Sequence, residues 1–398
     1  MKPQFWSRIS IRYEGGHFDA QKVRRIKEMV EFFLNRNQAD VIAFDYMVLA
    51  TTVPFDAKAE DMHPVLDMLV EESKRWESAS IMVVPQDLPI LRRIENQLPF
   101  LRKLIVAMHN PGLPAASNDM FEHAPLLRDV TLSDPSWKLN WSALTTVALQ
   151  TSVNDTLAIL PQISNIEILS LSSYKDRISG SCGSITLPRL NTLIVAHEIP
   201  HYLDFLQAPE LENFTILCKI GKSRPTQSLG SSPLLITSFL SRSFCPIRYL
   251  TLNAIDGESL ADILRHAPNI ESLKFTLHNK WRGPRSLACL SLPENHNDEC
   301  DPSRRLLARH LKSLIIEALP YGGHTDRPFL QEEISMLICI VKSRTIIFDK
   351  NKSTMKERLQ NLTVDMPYNP AFPNELIELM SLCAEVGVVF RHTLGYKI

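Results

Sequence analysis

The sequence predicts an α/β fold in which short parallel strands alternate with helical return segments. Two observations favour this fold. One apolar phrase recurs along the chain, and several of its copies follow a segment with the periodicity of an amphipathic helix. A phrase that recurs every few tens of residues is the signature of a repeat architecture, in which each unit buries its apolar face against its neighbours.

The phrase begins with a proline and then places apolar residues at a spacing of three and then two, as in Pro99–Val106. There Leu104 and Val106 alternate as strand residues do, while the proline fixes φ and ends any preceding helix. The other copies with a proline are Pro125–Leu132, Pro188–Val195, Pro209–Ile216, Pro246–Leu252 and Pro268–Phe275, and looser copies are Ala143–Leu149, Ile166–Leu171 and His310–Ile316.

A short strand with a helix returning behind it is the unit of a leucine-rich repeat. The distance between the prolines is uneven, because Pro188 and Pro209 are 21 residues apart whereas Pro209 and Pro246 are 37 apart. The sequence therefore predicts an irregular leucine-rich-repeat solenoid of strand–helix repeats with a curved parallel sheet.

The two ends of the chain are predicted to form degenerate strand–helix units that lack the proline phrase. Terminal units of a repeat array depart from the pattern because they must cover the exposed end of the core. In residues 1–97 we expect strands at Arg8–Tyr13, Asp40–Tyr46 and Ser80–Val84 and helices at Asp19–Asn35 and Asp61–Trp76; in residues 320–398 we expect helices at Arg327–Ser343 and Glu375–Glu385 and strands at Leu359–Val364 and Val388–Phe390.

Residues 98–319 contain the copies of the phrase and are predicted to form the main array. Two polar stretches rich in turn-forming residues, Lys219–Pro233 and Pro293–Arg305, are predicted to be surface loops. The predicted helical return segments are Asp119–His123, Val153–Leu160, Pro200–Gln207, Ser232–Ser243 and Asp256–His266.

The composition limits the class of protein. Hydrophobic residues make up 44% of the 398 residues, charged residues make up 22%, and the formal net charge is −1. This balance gives no reason to expect a nucleic-acid or membrane-surface partner. The N-terminal residues lack the apolar stretch of a signal peptide, no apolar run approaches the length of a transmembrane helix, and the seven cysteines form no CxxC pair. We therefore expect an intracellular protein, cytoplasmic or nuclear, with reduced thiols.

A basic cluster lies on the predicted helix Asp19–Asn35. Because the same helix also carries acidic residues, we interpret the cluster as a solvated polar face rather than a phosphate-binding stripe. The residues concerned are Lys22, Arg24, Arg25 and Lys27, with Glu28 and Glu31.

One string matches the H-E-x-x-H pattern of zinc metalloproteases, His197-Glu198-Ile199-Pro200-His201. That chemistry needs both histidines one turn apart on a continuous helix, with the glutamate beside the bound water. Pro200 would remove a helical hydrogen bond and clash with the preceding turn. We interpret the match as a chance occurrence and predict no metal site there. The chain also lacks a phosphate-binding loop and a dinucleotide motif, so we predict no catalytic set and no cofactor.

In a solenoid the strand side chains between the core positions point outward and form a surface for a partner. We therefore predict a non-enzymatic protein-binding module whose partner is a protein. The candidate partner-binding residues are Asp129, Thr131, Ser170, Thr192, Asn213, Thr215, Tyr249, Thr251, Lys274 and Glu317.

The repeat phrase, together with the N-terminal segment Pro3–Ile11 (PQFWSRISI), resembles the leucine-rich-repeat region of F-box proteins from mushroom-forming fungi. The segments Val23–Asn35 and His63–Trp76 are similar to the next units of that family. The resemblance implies the substrate-recognition part of an F-box subunit of an SCF-type, cullin-based ubiquitin ligase.

In that family the F-box, which begins with a Leu-Pro-x-Glu-Ile phrase and contacts the ligase adaptor, precedes the segment that matches Pro3–Ile11. The sequence begins at Met1 without it, so we expect no adaptor binding by this chain. Two alternatives stay open: an F-box-less paralogue or truncated gene product without a ligase role, and, more distantly, a zinc hydrolase that uses the HEIPH string.

Overall fold

Parallel strands joined by helices and turns make up the fold, which confirms the predicted α/β class. The chain divides into two compact units, unit 1 (Met1–Ser181) and unit 2 (Cys182–Ile398). The predicted division into residues 1–97, 98–319 and 320–398 stays a prediction. A computed structural model of the chain describes residues 8–14, 20–37, 41–49, 63–84, 87–108, 119–173, 183–197, 201–217, 232–253, 257–277, 287, 289–291, 307–318, 331–350, 359–365 and 373–393.

In the described part of unit 1, seven parallel strands pair in chain order. The strands are β1 (Arg8–Glu14), β2 (Ile42–Leu49), β3 (Trp76–Val83), β4 (Lys103–Met108), β5 (Asp129–Leu132), β6 (Thr146–Leu149) and β7 (Ile168–Ser173). The helices are α1 (Ala20–Arg36), α2 (His63–Glu71), α3 (Leu88–Leu91) and α4 (Val153–Ile159), with 3₁₀ turns at Ser73–Arg75, Arg92–Ile94, Trp141–Ala143 and Leu160–Gln162.

Unit 2 repeats this arrangement, and a separate pair of two-residue strands, β8 (Ile185–Thr186) and β10 (Leu206–Gln207), lies beside its first repeat. The strands of its parallel sheet are β9 (Thr192–His197), β11 (Asn213–Leu217), β12 (Tyr249–Asn253), β13 (Ser272–Leu277), β14 (Ser313–Ala318), β15 (Asn361–Asp365) and β16 (Val389–Thr393). The helices are α5 (Ser232–Ser243), α6 (Gly257–His266), α7 (Gln331–Lys350) and α8 (Pro373–Glu385), with a 3₁₀ turn at His201–Asp204.

The alternation within each strand determines the core. In both units the strand register aligns the apolar positions, so that each row of core side chains runs across neighbouring strands. Burying one such aliphatic or aromatic side chain contributes about 1.5–3 kcal/mol. One buried row of unit 1 is Ile9, Phe44, Ala79, Leu104, Val130, Val147 and Leu169, and one of unit 2 is Leu193, Phe214, Leu250, Leu273, Leu314 and Leu362.

In several copies the proline phrase forms a turn that leads into the strand. The amide of Leu127 donates to the carbonyl of Ala124, the residue before Pro125, at 3.2 Å, and the same bond joins Leu211 to Ala208. Proline therefore occupies the second position of a β-turn, where its fixed φ is favourable. The apolar residue two positions after the proline, Leu127 or Leu211, is buried and is the first core residue of the phrase.

A second recurring bond links each repeat to the next. The carbonyl of Arg102 accepts from the amides of Arg128 and Asp129 at 3.0 and 3.1 Å. In unit 2 the carbonyl of Arg248 accepts in the same way from Glu271 and Ser272, at 2.8 and 3.0 Å. One carbonyl thus fixes two consecutive amides of the following repeat, and this sets the register of the sheet.

Local sequence explains where several helices begin and end. The Ser152 hydroxyl accepts from the amide of Asp155 at 3.1 Å and caps the start of α4. Helix α8 is followed by Gly387 with φ of 72°, a left-handed conformation that glycine adopts without strain. In α6 the predicted inward residues Leu260, Ile263 and Leu264 are buried.

Three predicted helices differ from the structure. The segment Asp119–His123 is a turn, because its apolar residues are buried without a full helical turn. In Asp61–Trp76 the helix ends at Glu71, since Trp76 begins β3 and its Nε1 donates to the Leu69 carbonyl at 2.9 Å. In the described part of Pro200–Gln207, residues 201–207, the 3₁₀ turn His201–Asp204 is followed by β10 and no α-helix forms.

The predicted loops lie almost wholly outside the described residues; Ser232 and Pro233 already belong to α5. Among the described helices, none combines the length and the apolar character needed to cross a membrane. Burial raises the pKa of the Cys245, Cys289 and Cys383 thiols to about 11.

Candidate partner-binding face

All ten predicted partner-binding residues lie on strands at the positions between the core residues. Nine of them are half-buried, and Tyr249 is 45% exposed. We call the outward side chains of the strands the strand face of each unit. The role of these residues in binding stays a prediction, whereas their placement on the strands is observed.

Three of the ten lie in unit 1. The register places Thr131 of β5 beside Ala148, and Ala148 beside Ser170 of β7. Asp129 forms an ion pair with Lys103 of the neighbouring strand, with 2.7 Å between Oδ2 and Nζ. The strand face here carries charge that is neutralised within the unit.

The other seven lie in unit 2, on neighbouring strands. The register places Asn213 between Thr192 and Tyr249. In the next row Thr215 lies beside Thr251, which lies beside Lys274. Since adjacent strands are about 4.8 Å apart, these side chains form two rows of hydroxyl, amide and phenol groups at regular spacing.

The charges predicted on the unit 2 face neutralise each other. Lys274 Nζ lies 2.7 Å from Glu317 Oε1 on the next strand. The register places Glu317 beside Thr276, whose hydroxyl donates to Asn253 Oδ1 at 3.1 Å. The strand face of unit 2 therefore offers mainly uncharged hydrogen-bonding groups.

Sequence reasoning missed further members of the same rows. Aligning the copies of the phrase would have identified them, because each copy places an outward residue at the same position. The outward isoleucines could not be identified in this way, because an isoleucine in a strand cannot be assigned to the core or to the surface without the register. The additional outward residues of unit 2 are Ile194, Ser272, Ser313, Ile315, Asn361 and Thr363.

Charged residues also meet at the entry to the strands of unit 2. Glu271 accepts from Arg248 Nε at 2.8 Å and from Lys312 Nζ at 2.5 Å, with one residue from each of three consecutive repeats. Hydrogen bonds from Lys312 and Arg248 lower the pKa of the Glu271 carboxyl. The cluster links three consecutive repeats, and the Glu271 side chain within it is 21% exposed.

The HEIPH string does not form one helix. His197 is the last residue of β9, and His201 begins a 3₁₀ turn, while residues 198–200, including Glu198, lie outside the described residues. The backbone therefore departs from the helical arrangement that the metalloprotease pattern needs. Among the described side chains, no group of three or more His, Cys, Asp or Glu could hold a metal ion.

A buried polar cluster in unit 1 was not anticipated. His63 Nε2 lies 3.3 Å from Asp87 Oδ1, and neither atom has a hydrogen-bond partner in the described part of the chain. The other oxygen of Asp87 accepts from the Val84 amide at 3.2 Å. Burial raises the pKa of the Asp87 carboxyl to about 6, although the Val84 amide and His63 lower it. Burial, with the nearby Asp87, also raises the pKa of Tyr46.

An open groove of about 460 Å³ lies among the return segments of unit 1. Its walls come from the turn before Pro125 and from the 3₁₀ turns at Trp141–Ala143 and Leu160–Gln162. Glu122 and His123 are adjacent there and both exposed, which leaves no buried acid–base pair. The lining residues are Glu122, His123, Leu139, Asn140, Trp141, Ser142 and Gln162.

Comparison with protein-family models and with curated protein sequences gives no match. The resemblance to F-box proteins, the F-box-less paralogue and the zinc hydrolase all stay predictions from the sequence.

Proposed function

We propose that this chain is a non-enzymatic protein-binding module, an irregular leucine-rich-repeat solenoid that binds a protein partner on its strand face. The observation that supports the proposal is the alignment in unit 2, where the register brings Thr192, Asn213 and Tyr249 into one row.

The chemistry of this row suits recognition of a protein. Side chains fixed on paired strands lose little further freedom on binding, which lowers the entropic cost of association. Tyr249 supplies a large exposed ring with a polar tip, the kind of residue that dominates interface energies. Neighbouring hydroxyl and amide groups supply hydrogen bonds, and Lys274 and Glu317 neutralise each other in an ion pair.

The wider biological role rests on the resemblance to F-box proteins. By analogy, the partner is a substrate that a ubiquitin ligase modifies. The sequence contains no Leu-Pro-x-Glu-Ile phrase, so this chain by itself is not expected to bind the ligase adaptor. Direct, tight binding of the purified chain to the adaptor in a pull-down experiment would contradict that expectation.

A crosslinking experiment tests the strand face directly. A photoreactive phenylalanine analogue replaces Tyr249 in the full chain, which is expressed in cells and irradiated. We expect a discrete adduct with a partner protein, which disappears when Thr251→Arg places a bulky charge in the next row. The matched control places the same analogue at Phe244, which is 89% exposed on the turn after α5. Equal adducts at both positions, or adducts insensitive to Thr251→Arg, would overturn the proposal.

A further inference from the structure

The outward side of α1 carries one row of five side chains that we call the α1 stripe: Lys22, Arg25, Met29, Phe32 and Arg36. Their spacing alternates between three and four residues, which places them on one side of a helix. Met29 is 46% exposed and Phe32 is 50% exposed. Two large apolar side chains thus lie in solvent between basic residues.

The core does not need these apolar residues. Val30, Phe33 and Leu34 form the buried side of α1 and account for its packing. At about 100° per residue, Phe32 points well away from that side, whereas Met29 lies at its edge, four residues before Phe33. The exposure of Phe32 is therefore a property of the surface, and the half-exposed Met29 extends that surface from the edge of the core.

The charge on the stripe is not balanced by the helix itself. Helix α1 contains five basic and two acidic residues. The acidic residues lie on the other flank, where Glu28 Oε1 is 3.0 Å from Arg24 Nε. In the part of the chain that the structure describes, no acidic side chain pairs with Lys22 or Arg25. One turn beyond Arg25 lie Glu28, whose carboxylate pairs with Arg24, and Met29.

The apolar centre of the stripe and one of its basic ends are in contact. The Arg36 guanidinium lies 4.8 Å from the centroid of the Phe32 ring, a cation–π contact. With Lys22 and Arg25 at the other end, the stripe is about 21 Å long at 1.5 Å per residue. It presents positive charge, then apolar surface, then positive charge.

We propose that the α1 stripe is a docking surface for an acidic amphipathic helix of a partner protein. A helix laid along α1 repeats every turn, about 5.4 Å, so apolar residues at its centre meet Met29 and Phe32 while carboxylates at its ends meet the basic residues. Carboxylate–guanidinium hydrogen bonds are among the stronger ones available at a surface.

A protein helix fits this surface better than an anionic membrane. Helices that lie on membranes use a broad apolar side that enters the lipid. In α1 the broad apolar side, with Val30 and Phe33, is buried, and the helix contacts β1 and α2. What remains outside is one row with two apolar side chains, a width that matches a single helix.

Fluorescence anisotropy of the full chain with defined peptides tests the proposal. The probe is a lactam-stapled helical peptide of about 16 residues, with two leucines at the centre of one side and glutamates at both ends. The matched peptide has glutamine in place of each glutamate. We expect the acidic peptide to bind at least about tenfold more tightly, and this preference to shrink as salt is raised from about 50 to 300 mM.

Variants locate the binding. Lys22→Glu with Arg25→Glu should weaken the acidic peptide by at least about tenfold, and Phe32→Ser should also weaken it. The control, Arg24→Glu with Lys27→Glu, changes the same charge on the other flank of α1 and should alter the affinity by less than about threefold. All these positions are exposed, and circular dichroism verifies folding.

Equal binding of the two peptides, no binding, or equal effects of the two double variants would overturn the proposal. A second contrary result would come from sedimentation with phosphatidylserine vesicles. If the chain sediments with the vesicles, the variant Lys22→Glu/Arg25→Glu does not, and the acidic peptide fails to bind, the stripe binds anionic lipid and the proposal is wrong. Failure here leaves the strand face of unit 2 untouched, because Tyr249 crosslinking is a separate measurement.

Discussion

Each unit buries a charged side chain near a return segment, and the two units treat that charge differently. In unit 2 Arg344 of α7 is 2% exposed, and its guanidinium donates to the carbonyls of Leu290, Leu307 and Ala308 at 2.8–3.1 Å. In unit 1 Asp87 is 3% exposed, yet one of its oxygens has no hydrogen-bond partner among the described residues.

The difference shows under which condition a buried charge stabilises the folded state. Burial lowers the pKa of Arg344 to about 10, so the guanidinium stays charged at neutral pH and holds two separate stretches of backbone together. Burial raises the pKa of Asp87 to about 6, so at neutral pH the ionised carboxylate lowers the stability of the folded state. A buried polar group stabilises when its partners are present and destabilises when they are missing.

Removing the satisfied charge should produce the largest effect. Arg344→Met keeps the volume and leaves the carbonyls of Leu290 and Leu307 without that donor, while Ala308 still accepts from the Leu311 amide. The buried Leu290 acceptor at about 1–3 kcal/mol, with a smaller share from the half-buried Leu307 acceptor, predicts a loss of roughly 2–4 kcal/mol in the free energy of unfolding. Urea denaturation measures it.

Arg242→Met is the matched control. Arg242 also donates to a backbone carbonyl, that of Leu203, but it donates to one such carbonyl instead of three, and its side chain is only half-buried. We expect a loss of about 1 kcal/mol, smaller than the loss at Arg344. Equal losses in the two variants would show that burial of Arg344 is not what makes its hydrogen bonds important.

Neutralising the incompletely hydrogen-bonded charge of Asp87 should act in the opposite direction. The folded pKa of Asp87, about 6, lies above its ordinary value of 3.8, so the folded state binds the proton more tightly than the unfolded state. This contribution to stability is present below about pH 4, and it is lost as pH rises through about 6. In Asp87→Asn the side chain is neutral at every pH and escapes this loss, so the variant should be more stable than the natural chain at pH 8 by up to about 3 kcal/mol.

At pH 4 the two proteins should differ little, because Asp87 is then protonated and the amide oxygen introduced by Asp87→Asn still accepts from the Val84 amide. His63→Gln sharpens the test, since His63 lowers the pKa of Asp87 and its loss should move the transition to higher pH. A variant Asp87→Asn that is less stable than the natural chain at pH 8 would contradict the interpretation.

The strands were predictable because the proline phrase combines two strong local signals. Proline sets the turn, and alternating apolar residues set the buried side, as at Leu104 and Val106. The segment Asp119–His123 was not predictable as a turn, since five residues are too few to distinguish a helix from a turn that buries Met120 and Phe121.

The buried charges could not be predicted at all. The predicted helix Arg327–Ser343 stopped one residue before Arg344, and no local pattern places that arginine in the core. Arginine is usually exposed, and only the tertiary fold brings the carbonyls of Leu290 and Leu307 to it. The strand face was predictable in part, because Thr215 and Tyr249 are polar within an apolar pattern, whereas Ile315 is not.

The smallest effect is expected where the charge is satisfied and only partly buried. Glu271→Gln weakens the contacts with Arg248 and Lys312 at the entry to the strands of unit 2. Because solvent and salt screen exposed pairs, we expect a loss below about 1 kcal/mol near neutral pH. The folded pKa of Glu271 is lowered, so its contribution is present above the unfolded pKa and disappears as pH falls through the folded pKa.

High salt separates this contribution from the buried ones. In about 1 M salt the difference between Glu271→Gln and the natural chain should shrink, since the screening length falls to about 3 Å, whereas the loss caused by Arg344→Met should persist. Glu258→Gln, at an exposed position on α6, serves as the control. If the loss at Glu271 exceeds that at Arg344, or survives high salt unchanged, the order of stability that burial predicts for these charges is wrong.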